Sequence, residues 1–266
     1  MNSPNLKQIS DTTLAYYSLW IGQENILLQN KKGIEFLYSE ERNKTQQGYG
    51  VPFDIYIFKS PERTVISYGS NAKQYISTFA DNLDENMTID EIGNIAERIF
   101  HVKPVRNIKY VYSRQINLNT SAVTLTASDF HKYKEFFEKC HHVTAGDWLY
   151  DYFIGMAEKR LCCGFYLDNT LVSCTDAPDI PYMNDKIAEI GVNTLPDFYG
   201  KGFATECCKK CISNILENDL CPIWSTSSDN LASQALAEKI GFEKVADVIR
   251  SEEHTSELQS RIRISY

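Results

Sequence analysis

The chain has 266 residues, of which 43% are hydrophobic and 23% charged, with a formal net charge of −8. The length favours two domains, and the apolar content is sufficient for folded cores. The acidic balance argues against a nucleic-acid partner, because phosphate contacts need basic side chains. No stretch approaches the roughly 18 to 20 apolar residues of a membrane span, and the first residues lack a signal-peptide pattern. The sequence therefore predicts a cytoplasmic protein with neither a nucleic-acid nor a membrane partner.

The first part of the chain, residues 1–118, predicts a small α/β domain whose role no motif indicates. Hydrophobic periodicity and turn residues divide it into helices and strands. Thr88 and Glu91 form a capping box at the start of one of these helices. A polar stretch at 115–120 is the predicted linker to the next domain. In chain order the predicted elements are a helix within 11–30, strands at about 33–38, 53–58 and 63–68, helices at about 71–80 and 88–100, and a strand at about 105–112.

The second part, residues 119–249, predicts a longer series of strands and helices. Ser128 or Asp129 is the expected N-cap of its first helix, and Asp168-Asn169 is the expected turn between two strands. The predicted elements are a strand at 122–126, helices from about 130 and at 144–156, strands at 160–167, 170–176 and 187–194, a helix from 203 to about 217, a strand at 222–226, a helix at 230–240 and a strand from 242.

The centre of this second part is a strand followed by a glycine turn and a helix. The apolar run Ile187–Thr194 breaks at Pro196, and the turn Tyr199–Gly202 contains two glycines. Such an order places unpaired N–H groups and the positive end of a helix at one point, which favours binding of anions such as phosphates. The turn is neither a P-loop nor a dinucleotide fingerprint, because the residues that define those motifs are missing.

Two longer motifs carry a resemblance to a known family. The pattern V-x-T-x-P-x-[FY]-x-G-K-G-[FY]-A-T occupies Val192–Thr205, and N-x-x-S-x-x-L-A-E-K-I-G-F occupies Asn230–Phe242. Together they resemble the GNAT acyltransferase superfamily, and most of all a group of two-domain bacterial acetyltransferases that includes zwittermicin-type resistance enzymes. The resemblance covers residues 120–249. It implies an α/β fold with a mixed, splayed central sheet flanked by helices, truncated at its last strands.

The resemblance implies acetyl-CoA as co-substrate, with no metal. The backbone of one strand would face the pantetheine arm, and the glycine turn would hold the pyrophosphate. Asn230 has a structural alternative as a helix N-cap, and the Lys201 ammonium either approaches a phosphate or is solvated. The implied cofactor-binding residues are Val192, Asn193, Thr194, Tyr199, Gly200, Lys201, Gly202, Phe203, Ala204, Thr205, Asn230 and Ser233.

The catalytic groups are less well defined by the resemblance. Ala237 stands where many family members carry a tyrosine that protonates the departing thiolate, so this general acid is absent. The acceptor amine must lose a proton, and Glu189 is the predicted catalytic base. A hydrogen bond or salt bridge at the strand end is its structural alternative. Further candidates that the sequence does not rank are Asp176, Asp185, Tyr182, His141 and His142.

The predicted function is transfer of an acetyl group from acetyl-CoA to a primary amine, expected on a small molecule. A protein N-terminus or lysine is the alternative acceptor. A non-catalytic acyl-CoA-binding module is an alternative from another class, motivated by Ala237. Cys208 and Cys211 have the spacing of a metal or redox pair, but no second pair accompanies them. Small buried residues are therefore the preferred interpretation.

The last residues have a different character from the rest of the chain. Residues 250–266, RSEEHTSELQSRIRISY, show no apolar period. They resemble the translation of a DNA-sequencing adapter, and we expect them to be a non-native tail that replaces the last strands of the domain.

Overall fold

The structure is a computed structural model that describes residues 5–177 and 180–252. Two compact units are interleaved along the chain. Unit 1 comprises residues 1–9, 112–224 and 235–243, and unit 2 comprises residues 10–111, 225–234 and 244–266. The domain boundaries predicted at residues 118 and 249 stay a prediction.

Helices and strands alternate through the described residues. The helices are α1 (Leu6–Ile21), α2 (Ile76–Ala80), α3 (Ile89–Phe100), α4 (Phe130–His141), α5 (Trp148–Glu158), α6 (Phe203–Glu217) and α7 (Leu231–Lys239). The strands are β1 (Gly33–Tyr38), β2 (Ile55–Lys59), β3 (Arg63–Tyr68), β4 (Lys103–Tyr112), β5 (Val123–Thr124), β6 (Cys163–Leu167), β7 (Thr170–Asp176), β8 (Ile187–Glu189), β9 (Gly191–Thr194), β10 (Cys221–Ser227) and β11 (Phe242–Glu252).

Unit 2 is organised by a mixed sheet in the order β1-β3-β2-β11-β4. β1 is parallel to β3, with Gly33 opposite Arg63, whereas β2 is antiparallel to β3 and to β11. The apolar residues of β2 and β3 pack against α2 and α3 in a core that includes Ile57, Phe79 and Ile92. Burial of this apolar surface stabilises the unit.

Helix α3 shows how a local signal sets one boundary of this unit. The Thr88 Oγ1 accepts a hydrogen bond from the Glu91 N–H at 3.2 Å, and the Thr88 N–H donates to Glu91 Oε2 at 2.7 Å. These reciprocal bonds satisfy N–H groups that have no partner inside the helix. The predicted capping box is confirmed.

Unit 1 contains an antiparallel sheet in the order β5-β6-β7-β9 and a parallel pair formed by β8 and β10. The two-residue turn Asp168-Asn169 connects β6 to β7, and both residues adopt a positive φ, of 46° and 65°. Asp and Asn tolerate this left-handed conformation better than other side chains. Helix α6 packs against β6 and β7. Each unit contains both parallel and antiparallel strand pairs together with helices, which confirms the α/β fold class.

Three predicted elements differ from the structure. The first helix ends at Ile21 and only a short 3-10 helix follows at Ile26–Leu28, because Gly22 takes a left-handed φ of 94°. At the start of α4, Asp129 is the N-cap residue, as predicted, but its side chain makes no cap bond to α4; its carboxylate instead accepts a hydrogen bond from the Thr126 N–H at 2.9 Å in the preceding 3-10 turn. The strand predicted over 187–194 is divided at Ile190 into β8 and β9, which pair with different partners.

β11 continues into the segment that resembles an adapter. Arg250 pairs with Tyr56 of β2, and the Ser251 hydroxyl accepts a hydrogen bond from the Ile55 N–H at 3.1 Å. A strand ladder is made of backbone groups, so it can extend through residues of any origin. The origin of residues 250–266 stays a prediction, and 253–266 lie outside the described residues.

Candidate functional site

The glycine turn leads directly into helix α6. A 3-10 helix at Pro196–Phe198 follows β9, and Gly200 and Gly202 then take left-handed φ values of 73° and 88°. A Cβ added at either glycine would meet no protein atom within 4 Å, so the backbone of the turn is open to its surroundings. Glycine is required here for its conformation, because other L-residues are strained at these angles.

The N-terminus of α6 has no side-chain cap. Gly202 is the N-cap residue, and it has no side chain to accept hydrogen bonds from the first turn. The N–H groups of Phe203, Ala204 and Thr205 therefore have no partner within the helix. α6 is 15 residues long, so these groups also carry the positive end of its dipole. An anion placed against this turn would receive several backbone hydrogen bonds.

A cavity of about 470 Å³ opens beside this helix terminus, entirely within unit 1. Its charged residues are three lysines and one glutamate, and the Lys209 Nζ contacts Glu206 Oε1 at 2.9 Å. The balance of charge in the cavity is therefore positive, unlike that of the whole chain. The lining residues are Ile116, Asn117, Ser121, Phe165, Lys201, Gly202, Phe203, Thr205, Glu206, Lys209 and Lys239.

The turn holds its own lysine and aromatic side chains in place. The Lys201 Nζ donates to the Asp197 carbonyl oxygen at 2.8 Å and lies 4.8 Å from the centre of the Phe198 ring. The Phe203 ring stacks on Phe165 at 4.5 Å. Tyr199 is 66% exposed, so its side chain takes little part in forming the turn. Lys201 thus lines the cavity while its ammonium also stabilises the turn.

β8 and β9 part at Ile190, which produces the predicted splay of the central strand. β8 pairs in parallel with β10, with Glu189 opposite Ile223, and the Ile190 N–H donates to the Ile223 carbonyl at 3.1 Å. β9 instead pairs antiparallel with β7, with Gly191 opposite Asp176. β9 is the last strand of its described sheet. No further strand of that described sheet pairs with its second edge, which is called the open edge of β9 below.

The register determines which backbone groups lie on that open edge. The Leu195 N–H donates to the Val172 carbonyl at 2.9 Å, which makes this pair a hydrogen-bonded one. Because hydrogen-bonded and non-hydrogen-bonded pairs alternate along an antiparallel ladder, the backbone N–H and C=O groups of Asn193 face β7. The N–H and C=O groups of Val192 and Thr194 point to the open edge. These two residues can therefore hydrogen-bond an extended chain that contains amide groups, whereas Asn193 contributes little to that edge.

Two carboxyl groups lie at the start of this edge. Asp176, the last residue of β7, is partly buried and lies against Gly191, where an added Cβ would be 2.3 Å from Asp176 Oδ1. Burial, together with the charge of Glu189, raises the pKa of Asp176 to about 6. Glu189 is also partly buried. The structure thus brings the predicted base close to Asp176, which the sequence did not rank above the other candidates.

Asn230 and Ser233 belong to unit 2. The Asn230 Oδ1 accepts a hydrogen bond from the Ser233 N–H at 3.1 Å, so Asn230 caps α7 through its side chain. This is the structural alternative for Asn230. A cofactor contact by either residue stays a prediction.

Ala237 and the cysteines are core residues. Ala237 is fully buried, and a methyl group has no proton to give to a departing thiolate. Cys208 and Cys211 are also fully buried and form no disulfide. Among residues 5–177 and 180–252, no group of three or more His, Cys, Asp or Glu side chains could hold a metal ion. The interpretation of the cysteines as small buried residues is confirmed.

The sequence did not indicate two lysines that line the cavity. Lys209 lies on the same face of α6 as Gly202 and Glu206, two helical turns from the glycine turn, and helical spacing could have identified it. Lys239 is at the end of α7 and lies within the second motif, but that motif gave it no role, and its distance from the turn along the chain hid its place in the cavity. Within the described part of the chain, no helix is long and apolar enough to span a membrane.

A family model matches part of the chain. Residues 169–248 match the family model of the GNAT acetyltransferases, which confirms the resemblance of the motifs at Val192–Thr205 and Asn230–Phe242. No curated protein matches the chain.

Several solved structures are similar to this one. An acetyltransferase of the GNAT family from Colwellia psychrerythraea is 17% identical, over 60% of this chain and 62% of that chain, with a TM-score of 0.47. A putative GNAT acetyltransferase from Novosphingobium aromaticivorans is 16% identical, over 56% and 64% of the two chains, with a TM-score of 0.45. A GCN5-related N-acetyltransferase-like protein from Streptococcus suis is 18% identical, over 61% and 68%, with a TM-score of 0.41. This chain spans less than two thirds of the length of the first two.

Proposed function

We propose, from the GNAT acetyltransferase match over residues 169–248, that the protein transfers an acetyl group from acetyl-CoA to a primary amine on a small molecule. The observation that carries this proposal is the continuity of three features in unit 1. They are the open edge of β9, the glycine turn and the uncapped start of α6 beside a cavity with three lysines.

These features suit the successive parts of acetyl-CoA. The N–H groups at the start of α6, with Lys201 and Lys209 nearby, would hold the phosphates. The pantetheine arm carries amide groups, and Val192 and Thr194 offer backbone partners for them on the open edge of β9. A backbone N–H at the end of this edge would also polarise the thioester carbonyl. Holding the thioester and an amine in line supplies much of the rate.

The first test is calorimetric titration of acetyl-CoA into the protein and into the variant Gly202→Val. We expect micromolar binding by the wild type and loss of binding by the variant, because a branched side chain both strains the φ of 88° and blocks approach of a phosphate. Gly155→Val is the matched control, since Gly155 is also exposed with open space around its Cβ, but its φ is not positive. Equal binding by all three proteins would contradict the model.

A second candidate function is binding of acyl-CoA without catalysis. It is favoured by the burial of Ala237, because no hydroxyl at this position can protonate the thiolate. Release of free thiol from acetyl-CoA distinguishes the two functions. An acetyltransferase releases thiol when a suitable amine is added, whereas a binding module retains the cofactor and releases none. A panel that includes small amines and a peptide with a free N-terminus also separates the two classes of acceptor.

A further inference from the structure

We propose that Asp176 is the catalytic base that takes the proton from the acceptor ammonium, and that Glu189 is a positioning residue that acts on it through its charge. This inference rests on the acetyl-transfer function proposed above. It reassigns the base from the residue that the sequence favoured to one that only the strand pairing places at the site.

The position of Asp176 relative to β9 is the first argument. The phosphate-binding turn follows β9 in the chain, so an arm that runs from the turn along the open edge reaches the N-terminal end of β9 last. Gly191 is the first residue of β9, and Asp176 is paired with it. The Asp176 carboxylate lies so close to the Gly191 Cα that no side chain fits between them. A thioester at the end of the arm would therefore lie beside the Asp176 carboxylate.

The surroundings of Asp176 are the second argument. Burial, and to a smaller extent repulsion from Glu189 of β8, raises the pKa of Asp176. On the α4 side lies Tyr133, whose own pKa is raised well above its usual value by burial and by charges that include Asp176. Further groups that act on Tyr133 are Cys162, which directly precedes β6, Cys174 of β7 and Tyr152 of α5. Among the residues that the structure describes, the other groups named here are phenols and thiols, and burial raises the pKa of Tyr133 and of Cys174.

The choice between the two carboxyls follows from these surroundings. A general base works best when its pKa lies near the working pH, because it must hold the proton once it has taken it. Asp176, with a pKa of about 6, is ionised at neutral pH and is still more basic than an ordinary carboxylate. Glu189 precedes the break at Ile190 and belongs to the strand that pairs with β10, so its backbone is not part of the open edge of β9.

The two carboxyls also indicate the class of acceptor. The carboxylates of Asp176 and Glu189 both favour a positive charge near the N-terminal end of β9, and a primary amine is a cation near neutral pH. The acceptor is therefore expected to bind as its ammonium form, which the site then deprotonates. Acceptors that are neutral or negatively charged at the working pH would not be attracted by these two carboxylates.

The proposed step conserves atoms and charge. The ammonium gives one proton to the Asp176 carboxylate, and the neutral nitrogen attacks the thioester carbonyl carbon to form the C–N bond. The C–S bond then breaks, and its electron pair leaves with sulfur as a thiolate. The second nitrogen proton goes to this sulfur, and the proton on Asp176 returns to water. The net reaction converts an ammonium and acetyl-CoA into an N-acetyl amide, free CoA and one proton.

Reciprocal variants test the assignment. Free-thiol release is measured from pH 5.5 to 9 with acetyl-CoA and methylamine, putrescine, glycine methyl ester or a peptide with a free N-terminus. We expect Asp176→Asn to lower kcat about 100-fold or more, with an unchanged dissociation constant for acetyl-CoA. Glu189→Gln is expected to keep kcat at pH 8 within about fivefold and to move the acidic limb of the kcat/KM profile to lower pH, because the neighbouring negative charge is removed.

The opposite pattern, in which Glu189→Gln abolishes turnover and Asp176→Asn only moves the acidic limb, would overturn the proposal and make Glu189 the base. Unchanged kinetics in the Asp176 variant would overturn it as well. Absence of thiol release by the wild type with every amine, despite binding of acetyl-CoA, would instead reject the acetyltransferase function itself. The control for charge removal is Glu158→Gln, because Glu158 is an exposed carboxyl at the end of α5.

Discussion

Replacing Asp176 by Asn should stabilise the folded protein at neutral pH and reduce the dependence of its stability on pH. Burial and, to a smaller extent, the charge of Glu189 raise the pKa of Asp176 from 3.8 to about 6. Each pKa unit corresponds to about 1.36 kcal/mol, so ionised Asp176 costs the folded state roughly 3 kcal/mol. Because the pKa is higher in the folded than in the unfolded protein, the cost appears as the pH rises from about 4 through about 6.

The assay is urea unfolding of the wild type and of Asp176→Asn between pH 4 and pH 8. The stability advantage of the variant should grow from about 0.5 kcal/mol at pH 4 to about 3 kcal/mol at pH 8, by proton linkage. Asparagine has nearly the same shape as aspartate, so any packing effect should be constant with pH and leaves this slope unaffected. Glu158→Gln controls for the loss of a surface charge. An advantage that does not change with pH would refute a raised pKa at Asp176.

Three further predictions concern other parts of the chain. Thr88→Ala removes the capping box of α3 and should lower the free energy of unfolding by about 1 kcal/mol, measured by urea unfolding; no change would show that the cap contributes nothing. Asn230→Ala should also cost about 1 kcal/mol through loss of the α7 cap, whereas Asn230→Asp keeps the cap. If Asn230 also contacts the cofactor, calorimetry will show weaker acetyl-CoA binding in both variants. Lys209→Gln should weaken acetyl-CoA binding severalfold at low salt and less at high salt; salt-independent weakening would mean that Lys209 contributes through packing instead.

The local elements of the fold follow from the sequence because short-range chemistry determines them. Thr88 and Glu91 cap a helix through bonds between neighbours in the chain. The Asp168-Asn169 turn needs residues that tolerate a positive φ, and both residues have one. The strands β1 and β3 begin and end where alternation and turn residues predict. In each case the decisive contact spans only a few residues, so its signal is contained in a short stretch of sequence.

The assignments that failed depend on pairing between distant segments. The run Ile187–Thr194 reads as one strand in the sequence, and only its two partners, β10 and β7, divide it at Ile190. Periodicity reports which residues are buried, but not against which strand they are buried.

The candidate site shows the same division. The motif at Val192–Thr205 was enough to indicate the glycine turn, the start of α6 and the strand before it. These three elements form one continuous segment of the chain, so a local sequence pattern can specify them together. Tertiary structure decided the rest: it aligned Asp176 with Gly191, set which of Val192 and Asn193 faces the open edge, and added Lys239 to the cavity. These relations join residues that are far apart in the chain, and a pKa or a cavity depends on the distances that only folding establishes.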